Sequence, residues 1–151
     1  MPTAPKLVAA LCFAFTGFFV AEAYRISLLG AGQAALAFTG MQYVMAGIGA
    51  IVGWRVMGRL AGRGMGASAG TGLRTAVTTV FWALMIFAIQ RMIEKAFQRL
   101  YGDSPVEAVV DIFALMVDYA RQLAVPEVAV ALVVGGVLGG LATEFAARRW
   151  N

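Results

Sequence analysis

The chain holds no histidine and only one cysteine, Cys12, among its 151 residues. Zinc, copper, haem and iron–sulfur centres draw on imidazole and thiolate ligands, so these two shortages exclude the common metal and redox sites of a single chain. The lack of histidine also removes the commonest general base. One cysteine cannot close an intrachain disulfide, and its place inside an apolar run predicts a buried, inert thiol. Charge is scarce as well. Asp, Glu, Lys and Arg make up 13% of the residues, where an ordinary soluble domain has about 25%. A soluble domain of this length could not coat its exterior with so few polar groups. The sequence also offers no phosphate-binding loop, because the glycines between Gly53 and Gly64 lack the Gly-Lys-Ser/Thr ending that such a loop requires. Cofactors are therefore expected to be absent, and the chain is not expected to be an enzyme.

Hydrocarbon is what the chain has in excess. Hydrophobic residues make up 61% of it, gathered into four blocks at 7–24, 34–54, 75–90 and 127–144. A helix rises about 1.5 Å per residue and the hydrocarbon core of a bilayer is about 30 Å thick, so about 20 residues make a span. The blocks do not alternate in polarity as barrel strands do. Helices, which satisfy their backbone internally, are the form lipid allows. The third block is short, and Arg74 and Arg91 at its ends must carry their heads to the interface. Pro126 opens the fourth block in the first helical turn, where proline is tolerated. The expected fold is an all-α integral membrane protein, one membrane domain over 1–151 with four transmembrane helices plus one amphipathic interfacial helix.

That fifth helix is expected at 105–123. Glu107, Asp111 and Asp118 fall within about 40° of one another on a helical wheel, while Val109, Ile112, Phe113, Met116, Tyr119 and Leu123 face elsewhere. Each charge near the bilayer centre costs about 2.5–3.5 kcal/mol, so this segment belongs at the boundary and not across the membrane. The acidic stripe is a candidate face for a cation or a basic partner, or simply a solvated surface.

Sidedness follows from the basic residues. Lys6, Arg55, Arg59, Arg63, Arg74, Arg148 and Arg149 fall on one side, and Arg25, Arg91, Lys95, Arg99 and Arg121 on the other. The positive-inside rule then places both termini and the 55–74 connection in the cytoplasm. The twelve basic residues flank apolar blocks, a pattern that serves topology and not nucleic acid. Ala21-Glu22-Ala23 has the small-x-small form of a signal cleavage site. A single basic residue precedes the first block, and cleavage would leave an odd three spans, so that span is expected to be retained.

Three features are candidates for function. Arg55, Arg59 and Arg63 recur at four-residue steps among glycines and could hold an oxyanion by charge-assisted hydrogen bonds. The same residues could equally contact anionic lipid heads. Gly49 with Gly53, Gly135 with Gly139, and Gly136 with Gly140 form small-xxx-small pairs, which let helices approach closely either within the bundle or between protomers. Gln42 is the most deeply placed strongly polar side chain, and Thr78 and Thr79 can return their hydroxyls to the helix backbone. Glu144 precedes Arg148 by four residues, the favourable order for a surface ion pair. Acids near span ends, with none at mid-depth, disfavour a self-contained proton-coupled transporter.

The opening Met1-Pro2-Thr3-Ala4-Pro5-Lys6-Leu7-Val8-Ala9-Ala10-Leu11, the segments Gly53-Trp54-Arg55-Val56-Met57-Gly58, Ala61-Gly62-Arg63-Gly64 and Pro105-Val106-Glu107-Ala108, and the closing Glu144 with Ala147-Arg148-Arg149-Trp150 resemble the TrgA family of small membrane proteins. That family is associated with tellurite resistance in alphaproteobacteria. The resemblance implies a bacterial inner-membrane protein in that role and assigns no catalytic residue. Three readings are open: an accessory acting through a membrane partner, an oligomeric pore or exporter for an oxyanion, and a structural subunit of another membrane complex. A tellurite reductase would need thiols or a redox cofactor, and Cys12 alone is a poor basis for one. The membrane assignment makes a direct prediction: the protein stays with vesicles through an alkaline carbonate wash and enters solution only with detergent.

Overall fold

The computed structural model describes residues 4–30, 40–62, 64–98 and 105–150. Among them every regular element is helical: α1 (Ala4–Gly30), α2 (Met41–Val52), a π-helical turn at Gly53–Met57, α3 (Gly58–Leu60), α4 (Met65–Phe97), α5 (Pro105–Leu123) and α6 (Pro126–Arg149). Three of these, α1, α4 and α6, with 27, 33 and 24 residues, are long and apolar enough to cross a membrane.

The expected span at 34–54 takes a different form. Its first residues lie outside the described ones. From Met41 the helix runs only 12 residues before the π-helical turn widens it. The expected third span, 75–90, lies within α4, whose helix starts ten residues earlier, at Met65, and includes Arg74. The anticipated 55–74 connection is consequently mostly helix, and the chain reverses within a few residues near Gly62 and Gly64. Both glycines have positive φ (93° and 105°), which side-chain-bearing residues rarely adopt.

The chain divides into two compact units, Met1–Thr79 with Val125–Asn151, and Val80–Ala124. In the first, α1 packs against both α2 and α6. Ala9 and Phe13 of α1, Met57 of the π-helical turn and Ala76 of α4 form its buried cluster, with Leu132 of α6 against it. Glycines set the helix registers. A Cβ on Gly49 would lie 2.1 Å from the Phe13 carbonyl oxygen, and one on Gly53 2.6 Å from that of Ala9. Gly17 returns the contact, with Met45 at 2.4 Å. The next glycine against α1 is Gly58, over Lys6. That five-residue step from Gly53 matches the wide turn, in which the Gly58 N–H bonds to the Gly53 carbonyl.

Helix α6 uses its two glycine pairs on two neighbours. Gly135 and Gly139 meet Thr16 and Phe13 of α1. Gly136 lies between Gly72 and Ala76 of α4, and Gly140 between Ser68 and Gly72. Polar side chains inside the bundle are satisfied locally. The hydroxyls of Thr16, Thr75, Thr79 and Thr143 donate to carbonyls four residues earlier, as does that of Thr78.

In the second unit α5 presents three faces. Ile112, Leu115, Met116 and Tyr119 are half-buried, Glu107 and Asp118 are exposed, and Val106, Val109, Val110, Phe113 and Val117 form an exposed apolar stripe. Lys95 Nζ of α4 donates to Asp111 Oδ2 at 2.8 Å. Burial holds the Tyr119 hydroxyl above its ordinary pKa, with nearby Glu94 and Asp111 reinforcing the shift and Arg91 and Lys95 opposing it.

The glycine contacts predict a sharp contrast in stability. Gly49→Leu and Gly140→Leu force a side chain onto a backbone carbonyl and should destabilise the bundle by about 1–3 kcal/mol or more. Gly47→Leu, where a Cβ meets nothing within 4 Å, should leave the thermal midpoint in detergent unchanged.

Candidate functional site

The packing of α6 on α4 continues one step past its glycines. Positions 136, 140 and 144 share a helix face, so the register that seats Gly136 and Gly140 on α4 carries Glu144 to the beginning of that helix. There the carboxylate is buried, with 1% of the residue exposed. Oε2 accepts from the Gly62 N–H at 2.6 Å and the Ser68 hydroxyl at 2.8 Å. Oε1 accepts from the Gly64 N–H at 3.0 Å and from Arg148 Nε at 3.2 Å.

Each partner has a reason to be there. The first N–H groups of a helix lack intrahelical acceptors and carry its positive dipole end, which favours an anion. The Gly62 and Gly64 conformations turn their N–H groups toward the same carboxylate. Ser68 N–H bonds to the Gly64 carbonyl, which starts the α4 ladder, while its hydroxyl turns to Glu144. A buried carboxylate is costly unless its lone pairs are met by donors, and here four donors meet it. Among the described side chains, no buried nitrogen or oxygen atom lacks a hydrogen-bond partner.

Glu144 was expected as one half of a surface ion pair. Its contact with Arg148 is present, but Arg148 is the exposed partner and the carboxylate faces inward. The signal that could have located it is the four-residue repeat Gly136, Gly140, Glu144. A stripe that buries its first two members buries the third.

The basic candidates stand apart from this clasp. Arg55 and Arg59 are exposed, and among the described residues neither forms an ion pair. Arg63 lies outside the described residues. Lys6 lies over Gly58, and Glu144 reaches Gly64, so Lys6, Arg55, Arg59, Arg148 and Arg149 belong to the same end of the first unit.

At the other end Glu22 pairs with Arg25 and accepts from Gln42 Nε2 at 3.0 Å. Gln42, expected as the most deeply placed strongly polar side chain, is engaged there by Glu22. It sits in the first turn of α2, because the helix described here begins at Met41.

Of the acidic stripe, Asp111 is engaged by Lys95, while Glu107 and Asp118 remain exposed. Cys12 is half-buried, with its Cβ against Gly139. Among the described residues no cluster of three or more Cys, Asp or Glu side chains is placed to hold a metal ion. No protein-family model, curated protein or solved structure matches this chain.

The arrangement makes Glu144 a fastener between the end of α6 and the start of α4. Glu144→Ala removes the acceptor from the Gly62 and Gly64 N–H groups and from the buried Ser68 hydroxyl, and a buried hydroxyl left unpaired costs about 1–3 kcal/mol. We expect it to lower the thermal midpoint and to expose the 61–64 turn to protease, while Arg148→Ala, at an exposed position, has a small effect.

Proposed function

We propose that this chain is a non-enzymatic accessory subunit of the bacterial cytoplasmic membrane, contributing to tolerance of tellurite through a membrane partner. The geometry supports a scaffold: threonine hydroxyls in the bundle return to their own helices, and Glu22 and Glu144 fasten one element to another. The tellurite role rests on the resemblance to the TrgA family.

In this reading the chain crosses the membrane four times. Alongside α1, α4 and α6, the continuous run of α2, the π-helical turn and α3 (41–60) makes the fourth crossing. Helix α5 lies on the outer boundary, with its exposed valines and Phe113 in the acyl region and Glu107 and Asp118 toward water. Both termini are cytoplasmic. The observation that carries this orientation is the concentration of Lys6, Arg55, Arg59, Arg148 and Arg149 at one end of the first unit, as the positive-inside rule requires of the cytoplasmic side.

The second reading, an oligomeric oxyanion pore, is favoured by Arg55 and Arg59, which are exposed at that same end and, among the described residues, form no ion pair. Changing Arg55, Arg59 and Arg63 together to Gln separates the two. For an accessory, membrane insertion and tellurite survival stay at the wild-type level. Survival falling to that of a strain lacking the protein, with expression intact, would favour the pore. Cys12→Ser should leave survival unchanged, and a sensitive variant would point to thiol chemistry.

A further inference from the structure

The end of the first unit that carries Lys6, Arg55, Arg59, Arg148 and Arg149 has little acid to balance it. Three carboxyl side chains belong to that unit: Glu22, Glu127 and Glu144. Glu22 is held by Arg25 and Gln42, and Glu127 opens α6, at the opposite end of that helix from Arg148 and Arg149. Glu144 alone reaches the basic end, and its oxygens are taken by the Gly62 and Gly64 amides, the Ser68 hydroxyl and Arg148. Arg55 and Arg59 are exposed, and among the described residues no carboxylate pairs with either. The counter-charge for these two must come from outside the unit.

Two further observations identify what supplies it. The first is that each exposed cation adjoins exposed apolar surface on the side nearer the bundle. One turn before Arg55 stands Ile51, 61% exposed, and one turn before Arg149 stands Phe145, 54% exposed. A soluble acidic partner offers nothing to cover that surface, whereas a phospholipid carries its phosphate directly above its acyl chains. The second is the position of tryptophan. Of the three in the chain, Trp54 precedes Arg55 and Trp150 follows Arg149. Trp150 is exposed and Trp54 half-buried. Indole rings, apolar with one polar edge, collect at the headgroup level of a bilayer. The order apolar residue, cation, tryptophan thus recurs on two separate helical runs that arrive at the same end.

We infer that this end of the unit binds anionic phospholipids, with Arg55 and Arg59 on the phosphate and the acyl chains beside Ile51. A second copy of this chain is a poor occupant, because it brings the same cations and its Glu144 is enclosed. Cations close to an anionic membrane surface are attracted to it over about a Debye length, so the preference is for lipids of net negative charge and not for phospholipids in general. The inference rests on the accessory reading, which sets this end at the membrane surface, and adds the class of lipid that meets it.

The two tryptophans are reporters for the test. The full chain carrying Trp82→Phe is placed in phosphatidylcholine liposomes with a minor fraction of one lipid brominated near the top of its acyl chains, and quenching of Trp54 and Trp150 is read. Brominated phosphatidylglycerol should be enriched around them by about fivefold or more over brominated phosphatidylcholine, the preference that one arginine near an anionic surface supplies. Arg55→Gln with Arg59→Gln should bring the two lipids close to parity, and Arg55→Lys with Arg59→Lys should keep most of the excess, since lysine retains the charge. Both positions are exposed, so neither pair of changes disturbs the packing. Equal quenching by the two lipids in the unsubstituted protein overturns the inference, and so does an excess that survives the glutamine changes or disappears with the lysine ones. Inorganic phosphate that removes the excess, where chloride at the same ionic strength does not, assigns the arginines to a free oxyanion and also overturns it. Quenching by neither lipid would overturn the placement of this end at the membrane surface, and the inference with it. None of these readouts involves tellurite, so failure here is distinct from failure of the tolerance role.

Discussion

The structure depends on close backbone contact between helices, made possible where a side chain is missing. In lipid no hydrophobic drive separates helix from solvent, because the solvent is itself apolar, so packing and polar contacts must supply the association energy. Gly49 and Gly53 admit the α1 backbone, while Gly136 and Gly140 admit that of α4. These contacts also fix register. A helix seated by two glycines four residues apart cannot slide without driving a Cβ into a carbonyl, so every residue on the same face acquires a defined neighbour.

Glu144 follows from that constraint. The register set by Gly136 and Gly140 brings a carboxylate to the start of α4, where the N–H groups of Gly62 and Gly64 just before the helix, the Ser68 hydroxyl and the helix dipole favour an anion. The two glycines with positive φ then let the chain reverse tightly enough to offer two amides at once. Packing places the charge, the helix end makes it tolerable, and the turn completes its coordination. Removing any one of the three leaves the others with an unmet polar group. The clasp also explains why the connection between α3 and α4 is so short, since its geometry is held by a residue 80 positions away in the sequence.

Much of the helical architecture was legible in the residues because lipid restricts the choice so strongly. Long apolar runs bounded by charge have one stable backbone form, and small residues at four-residue spacing have one common use. The less legible parts were those decided by tertiary register. Hydropathy put the edge of the third block at Arg74, and the helix continues past it to Met65, because hydropathy marks what lipid accepts and not where a helix starts. Glu144 looked like half of a surface pair because i,i+4 spacing reports neighbours along one helix and is blind to the next helix. The π-helical turn at Gly53–Met57 left no periodic signature, although the five-residue step from Gly53 to Gly58 on the α1-facing side records it once the partner helix is known. Arg63, the third of the candidate arginines, falls outside the described residues.

The polar groups of the bundle sort by whether their chemistry is already engaged. Threonine hydroxyls return to their own helices, Glu22 is held by Arg25 and Gln42, and Glu144 is enclosed by four donors. Arg55 and Arg59 are exposed at an end of the unit, where water and lipid headgroups can satisfy them. Arg74 is exposed on the outer face of α4, and among the described residues it has no carboxylate partner. Gly66 and Gly70 on its face stand open, whereas Gly72 on the opposite face of the same helix is filled by α6. Close packing and polar engagement thus fall on the same face of α4: Ser68, Gly72 and Ala76 meet α6, while Arg74 and the two open glycines lie away from it.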